Sequence, residues 1–558
     1  MFVAAVVAAT VPGAAVATPP VAACESAPLA DGHATRSVAA TTGDNDSTLR
    51  IEAVYPNPAT RGDSGEFVVL RLPRETNLSG WSLADDQAGV SLSTVVARGR
   101  VAVADRPALV RNRTRELAAL RVDAVAGVES FPALSNAGER IALRRDDETV
   151  DAVEYHDAPE RSLYEDGEWR HLDATDRAIA RFGSRPVRAF VLPDGAEVPV
   201  DLLRSAERRV LLAGYTFESE RATRALERAA ERGVEVRVLV DAGPVGGTAR
   251  RQVRLLDRLS SHGGIRVWVY GTSEAPYAYH HAKYAVVDDR TLVATENWKP
   301  GGLGGAANRG WGTVVTGADV AAAHASVFDA DAQRPAAMPW REYRGRVDPV
   351  YGSVDRGSYP SRIESERLHA DSVRLLVAPD NAQRGIVDVV DGANESLRVQ
   401  QVSMEHGPLL SATVDAARRG VAVRLLLSGA DYVREDNREL ATALNERADR
   451  EGWDLQVRVA DAEGFDAVHT KGAVVDGRHV VVGSLNWNDH SAQRNRETVL
   501  VLSGDAVGDY YADAFDRDWR TDPSRRVPLS LVLAGLAAVV LAAIVGYRRI
   551  EFGGRNAR

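Results

Sequence analysis

The sequence predicts an α/β protein in which two pseudo-symmetric halves, each an α/β/α sandwich, follow a β-sandwich module and precede one C-terminal transmembrane helix. Three observations predict it. The run Ala229-Ala230-Glu231-Arg232-Gly233-Val234-Glu235-Val236 recurs as Ala416-Ala417-Arg418-Arg419-Gly420-Val421-Ala422-Val423, an offset of 187 (420 minus 233), and a histidine motif recurs at 188 (469 minus 281). So constant an offset means duplicated halves. Within each half, strand-like and helix-like runs alternate, the pattern of a largely parallel sheet covered by helices. Finally, Val527 to Tyr547 is 21 residues without a charge, enough to cross a bilayer.

Taken in order, residues 1–24 are small and apolar and read as a signal peptide, although the first basic side chain is Arg36. Cys24, the only cysteine, follows Val21-Ala22-Ala23, which resembles a lipoprotein cleavage box and equally suits an ordinary processing site. A single cysteine excludes intrachain disulfides and cysteine-based metal clusters. Residues 25–47 read as a polar linker. From 48 to 158, short β-type runs such as Arg50-Ile51-Glu52-Ala53-Val54-Tyr55 and Glu66-Phe67-Val68-Val69-Leu70 are broken by turns, with Phe67 and Trp81 as core. Residues 157–185 are charged and irregular, an interdomain connection.

The first half, residues 185–340, opens with a strand at Arg209–Tyr215 and a helix from Ser219, its N-cap, to Arg232. Gly233 ends that helix and starts a buried strand. A helix at Ala249–Ser260 and a strand at Ile265–Tyr270 follow. Residues 341–366, with Gly345, Pro349, Gly352, Gly357 and Pro360, read as a linker. The second half, residues 367–522, repeats the order with a helix at Asn437–Glu451 and a strand at Leu455–Val459. Beyond the apolar helix at 527–547, Arg548, Arg549, Arg555 and Arg558 put the tail, 548–558, in the cytoplasm and the bulk of the chain outside. The formal net charge of -10 argues against a broad polyanion-binding face while leaving room for a local basic cleft.

The chemistry is concentrated in the repeated motif. His281-Ala282-Lys283 leads through an apolar run to Asp288, then Ala294-Thr295-Glu296-Asn297 and Asn308-Arg309-Gly310; His469-Thr470-Lys471 leads to Asp476, then Gly483-Ser484-Leu485-Asn486 and Asn495-Arg496-Glu497. Each copy sets a histidine and a lysine two apart, on one face of an expected strand. The chain has three lysines, Lys283, Lys299 and Lys471, and every other basic residue among its 68 is arginine. Lysine kept inside both pairs argues for a compact point charge rather than a planar fork. An imidazole beside an ammonium suits attack on a phosphorus whose oxygens need a positive cradle.

These paired His-x-Lys-x4-Asp motifs resemble the phospholipase D superfamily over residues 185 to 520. The run Glu66-Phe67-Val68, Gly80-Trp81-x-Leu83, Leu134-Ser135-Asn136-x-Gly138-Glu139 and Val150-Asp151-x-Val153-x-Tyr155 resembles the lamin tail domain, an immunoglobulin-like module. The first resemblance implies two halves about a pseudo-dyad, a transient phosphohistidine and no metal or other cofactor. It implies one motif histidine as nucleophile and the other as acid, His281 and His469 in that order or with the roles exchanged between the halves, Lys283, Lys471, Asn297 and Asn486 around the phosphate oxygens, and Glu497 on the Nδ1 of a motif histidine. Asp288 and Asp476 belong to the same motifs and are counted with the catalytic set, although they read as structural pins rather than reacting groups. In the first half Gly310 stands where Glu497 stands in the second, and the Asp-to-Asn spacing is one residue shorter, which leaves the first histidine, His281, without its expected orienting carboxylate. His280, His406, His479 and His490 receive no role. The expectation is a membrane-anchored extracytoplasmic phosphodiesterase acting on phospholipid, with no obligate protein partner. An extracellular nuclease and a non-catalytic phosphate-binding adhesion protein are the alternatives.

Overall fold

The structure, a computed structural model, describes residues 49–520 apart from 59–64, 86–88, 94, 112–120, 130, 132, 147, 160, 173–176, 273–274, 353–356, 360 and 461–464. The signal peptide, Cys24, the linker at 25–47, the apolar segment at 527–547 and the basic tail lie outside the described residues. Among the described residues no helix is long and apolar enough to cross a membrane. The described chain forms two compact units.

The N-terminal unit is built on two sheets. In one, strand Arg50–Tyr55 pairs antiparallel with Phe67–Asn77, which pairs with Val96–Ala104. In the other, Gly89–Ser91, Trp81–Ala84, Gly138–Arg145 and Glu148–His156 follow one another, all antiparallel. Phe67 is buried with its ring 4.9 Å from Tyr55. Trp81 is only half-buried, and the Arg145 guanidinium lies 5.7 Å from its ring, so it closes the edge of the core rather than filling it.

The second unit holds both halves of the repeat. The first half's sheet runs in the order Ala337–Pro339, Ile265–Tyr270, Glu235–Asp241, Arg209–Gly214, Tyr284–Val287, Arg290–Ala294, Gly310–Thr316, Arg185–Leu192, Glu366–Ala370. The second half's runs Ala180–Phe182, Ser372–Ala378, Asn495–Ser503, His479–Gly483, Gly472–Val475, Ser396–Gln401, Ala422–Leu427, Leu455–Val459. The expected largely parallel sheet is corrected here: three neighbouring strands in each sheet are parallel and the other pairs along each order are antiparallel, while the short strand Tyr279–His280 adds one parallel pairing to Asn495–Ser503. The cause is local. Val287 pairs with Arg290 and Val475 with His479, so the strand after each motif turns straight back, and a connection this short joins only antiparallel neighbours. The second hairpin has one more residue in its turn, which accounts for the spacing difference between the two motifs.

Helices Glu220–Glu231 and Arg250–Ser261 cover the outer face of the first sheet, and Ala382–Asp391, Pro408–Arg418 and Arg434–Glu451 that of the second. The Oγ of Ser219 accepts from the amide of Ala222 and caps the first of these. Helices Ala318–Asp331 and Asp505–Arg520 pack between the two sheets, inside one continuous apolar core shared by both halves. The reading of 157–185 as an irregular connection is also corrected, since it holds strands Ser162–Glu165, Glu168–His171 and Ala180–Phe182. Ala180–Phe182, which precedes the first half, pairs with Ser372–Ala378 in the second sheet, and Glu366–Ala370, which opens the second half, pairs with Arg185–Leu192 in the first. Each half thus carries an edge strand from the other's lead-in segment.

Candidate active site

Both motif histidines lie in extended chain just before their strands rather than within them, since the strands begin at Tyr284 and Gly472. The backbone fixes them across the pseudo-dyad. The amide of His281 donates to the carbonyl of Arg496 (3.0 Å), and the amide of His469 donates to that of Arg309 (2.8 Å). Each motif is therefore held by the Asn-Arg segment of the other half.

The side chains repeat that exchange. His281 Nδ1 lies 2.7 Å from Glu497 Oε1, and His469 Nδ1 lies 3.2 Å from Glu296 Oε1, both carboxylates being fully buried. The first histidine is therefore not the one left without a carboxylate, because Glu497 reaches it from the second half; the group missing at Gly310 is supplied to His469 by Glu296, which occupies the place of Leu485 in the other half. The two positions are sterically coupled: a Cβ on Gly310 would stand 2.4 Å from the Cγ of Glu296. Asn308 Nδ2 donates to Glu296 Oε2 and Asn495 Nδ2 to Glu497 Oε1, each at 3.2 Å, so the same amide steadies each carboxylate. Glu296 could not be assigned from sequence because its partner lies in the other half. The only signal was the pairing of an extra Glu with a missing one.

Lys283 Nζ donates to the carbonyl of His281 (2.6 Å) and Lys471 Nζ to that of His469 (2.8 Å), while Lys471 Nζ also stands 3.1 and 3.3 Å from the two ring nitrogens of His469. Burial dominates their titration. It pushes both imidazoles down to about 4, against the pull of Glu497 on His281 and of Glu296 on His469. It lowers Lys283 to about 8 and Lys471 to about 7. The charge of Lys471 acts on His281 and that of Lys283 on His469, so the four groups share one electrostatic site. At neutral pH both rings are neutral and the ammonium charge on Lys471 is marginal, an arrangement that a bound anion would reverse.

Asn297 follows Glu296 directly and Asn486 stands at the matching position of the second half, and the Oδ1 of each is buried with no partner among the described residues. Tyr215 packs edge-on against His281 (4.7 Å between centroids) and under Lys283 (5.5 Å), and its hydroxyl accepts from the amide of Val245 (2.5 Å). Sequence reasoning had passed over it.

Asp288 and Asp476 are not part of this site. They lie beyond the four-residue strands that follow the motifs, about 13 Å further along the chain. Asp288 accepts from the amides of Glu207, Arg208 and Arg209 at 2.8 to 3.0 Å, and Asp476 from those of Glu395 and Ser396 at 2.8 and 2.9 Å. These bonds hold both carboxyls below their usual range despite partial burial. They pin the hairpins, as the sequence reading proposed.

His280 is no bystander. It is buried, with Nε2 3.2 Å from Asp331, and belongs to a clamp in which Arg496 reaches Asp331 (3.1 Å), Asp380 (3.0 Å) and the carbonyl of Ala378 (3.0 Å). Arg309 forms the matching clamp with Asp518 (3.0 Å), Asp194 (2.6 Å) and the carbonyl of Leu192 (2.8 Å). Each arginine thereby ties its own half to the last helix of the other.

A family model described as the cardiolipin synthase, PLD-like domain matches twice, at residues 200–332 and 386–519, once per half. The mitochondrial cardiolipin hydrolase of Homo sapiens is 33% identical over 202 residues, covering 33% of this chain and 73% of the relative. A phospholipase D of Rickettsia bellii is 26% identical over 133 residues, 24% of this chain and 61% of the relative, so the chain spans about three fifths of that protein. Among solved structures, the phosphatidylserine synthase of Haemophilus influenzae Rd KW20 aligns over 66% of this chain and 94% of its own, at 15% identity and a TM-score of 0.45, too distant to bear on the function. The duplicated α/β unit, with a His-Lys pair from each half, has the form of a two-histidine phosphodiesterase. The chain belongs to the phospholipase D superfamily.

Proposed function

We propose that the protein is a phospholipase D-type phosphodiesterase that hydrolyses a phospholipid through a phosphohistidine, anchored by its C-terminal apolar segment with the catalytic halves outside the cytoplasm. The observation that carries the reading is the exchange of carboxylates across the pseudo-dyad, His281 with Glu497 and His469 with Glu296. With Nδ1 engaged, Nε2 of each ring is left for chemistry.

In this scheme Nε2 of His281 attacks phosphorus as the bond to the leaving alcohol breaks, and protonated His469 gives that oxygen its proton. His469 then takes a proton from water, whose oxygen attacks phosphorus, and the N–P bond breaks to release the phosphate product. Lys283, Lys471, Asn297 and Asn486 hold the non-bridging oxygens, worth several kcal/mol in a water-poor site. The substrate's own charge raises the depressed pKa of His469, so the acid forms when substrate is bound.

Phospholipid is favoured over nucleic acid by the surface beside the site. Val245, whose amide is bound by Tyr215, is 77% exposed, and the neighbouring segment carries Val350 and Tyr351, the latter 83% exposed. Ala249 bridges to Val350, a Cβ on Gly247 would stand 3.0 Å from the Val350 side chain, and the Arg250 guanidinium lies 3.7 Å from the Tyr351 ring, so these groups make an apolar surface with a cationic edge, suited to a lipid surface with anionic head groups. The names of the hydrolase and phospholipase relatives point the same way.

The test uses the full chain in detergent with chelator present, offered phospholipid vesicles or a single-stranded oligonucleotide. Wild type is expected to hydrolyse lipid, and acid quenching to trap a phosphohistidine that His281→Ala lacks. The kcat/KM should fall as pH rises through about 7 to 8, where Lys471 and Lys283 lose their charge in the free enzyme. Cleavage of the oligonucleotide alone would establish the nuclease reading, and turnover of neither would establish the non-catalytic one.

A further inference from the structure

The third lysine, Lys299, sits on the same centre as the other two. It follows Asn297 and Trp298, and Trp298 is buried with Nε1 donating to the carbonyl of Ala213 (3.1 Å). The amide of Lys299 donates to the carbonyl of Asn297 (2.8 Å), and its own carbonyl accepts from Gly302 (3.1 Å) and Gly304 (3.0 Å). No side chain fits at Gly302 or Gly304 of this turn. A Cβ on Gly302 would lie 2.5 Å from the Asn297 carbonyl and 2.9 Å from Glu296 Oε2, and one on Gly304 would lie 2.6 Å from the Pro300 carbonyl. Gly305, at φ 71°, is blocked at 2.5 Å by the Cβ of Ala196. The turn is a rigid mount that sets Lys299 beside two residues of the site.

Its charge reaches the centre, since Lys299 lowers the pKa of both Lys283 and Lys471. Yet Lys299, half-buried, makes no side-chain hydrogen bond or ion pair among the described residues. The alternative, a solvated surface lysine, leaves both the built turn and the choice of lysine in an arginine-dominated chain without a reason. The second half has no equivalent. After Trp487 stands Asn488, whose side chain caps helix Asp489–Arg494 by accepting from Ser491 (2.8 Å). The additional cation is one-sided.

We propose that Lys299 forms a second anion subsite, which receives a phosphate or carboxylate carried on the substrate close to the scissile phosphodiester, on the side of the first half. The inference rests on the phosphodiesterase reading and adds a substrate class to it. A lysine suits the task because its point charge accepts an anion arriving from a range of directions, where the arginine fork demands one. A partly buried position spares it much of the screening by salt.

The test compares wild type, Lys299→Ala and Lys299→Arg in the full chain. The first arm measures kcat/KM in mixed micelles for diphosphatidylglycerol, which offers a second phosphate, and phosphatidylserine, which offers a carboxylate, each relative to phosphatidylcholine. The preference for at least one anionic lipid is expected to fall about tenfold in Lys299→Ala and to stay within about threefold of wild type in Lys299→Arg; which lipid responds identifies the anion. The second arm needs no turnover: calorimetry compares glycerol 1,3-bisphosphate with glycerol 3-phosphate, and the wild-type preference for the bisphosphate is expected to vanish in Lys299→Ala. Lipid turnover with the same preference in wild type and Lys299→Ala overturns the subsite and leaves the function standing. A Lys299-dependent binding preference without lipid turnover does the reverse.

Discussion

Glu296 and Gly310 make one functional unit out of two positions that look like separate defects. The second half keeps its carboxylate at Glu497, and the first half has moved its own to the Asn-x-Gly segment's neighbour, with glycine opening the space that the relocated side chain fills. Reciprocal substitution follows from this. Glu296→Leu is expected to lower kcat/KM about a hundredfold by leaving the His469 ring without its orienting partner. Adding Gly310→Glu to that variant should recover most of the loss, whereas Gly310→Glu alone should depress both activity and stability by crowding two carboxylates. Steady-state kinetics on the three variants decides the matter; a double variant as poor as Glu296→Leu sinks the idea. The histidines and lysines were legible because a repeated pattern names them without knowledge of the fold. Glu296 was not, because which ring a carboxylate serves is settled only when two distant segments meet.

At the level of the element, strands and helices that depend on local pattern were readable to within a few residues: the cap at Ser219, the strands Ile265–Tyr270 and Leu455–Val459, and the helix at 437–451, which in the structure begins earlier at Arg434. Strand direction was not, since the alternation of helix and strand hides the hairpin that follows each motif. The arginine clamps were missed for the same reason as Glu296. Arg496 is fully buried between Asp331 and Asp380, one from each half. Removing it strands two buried carboxylates, so Arg496→Met is expected to cost about 3 to 5 kcal/mol in urea unfolding. The same change at Arg418, whose pair with Asp415 is exposed, should cost under about 1 kcal/mol. Equal effects at the two positions would mean that the clamp is not what joins the halves.

For the whole molecule, duplication was evident from the constant offset, but the closeness of the union was not. The halves share one apolar core between their sheets, and both motif histidines depend on groups from the opposite half. A polypeptide of residues 367–520 alone would lack the edge strand Ala180–Phe182, half of the core and Glu296, the carboxylate partner of its own motif histidine His469. It is expected to be insoluble or molten, judged by loss of near-ultraviolet circular dichroism. A separately folded, monomeric second half would contradict the shared core.

The strand that each half lends to the other has a further consequence for a severed chain. If a protease site were engineered at Gly352 and cleaved, the two fragments would remain hooked together, because each would still carry a sheet edge belonging to its mate. The nicked protein should therefore run as one particle on gel filtration and keep its turnover. Two fragments made apart and mixed would have to reassemble as a complementation pair.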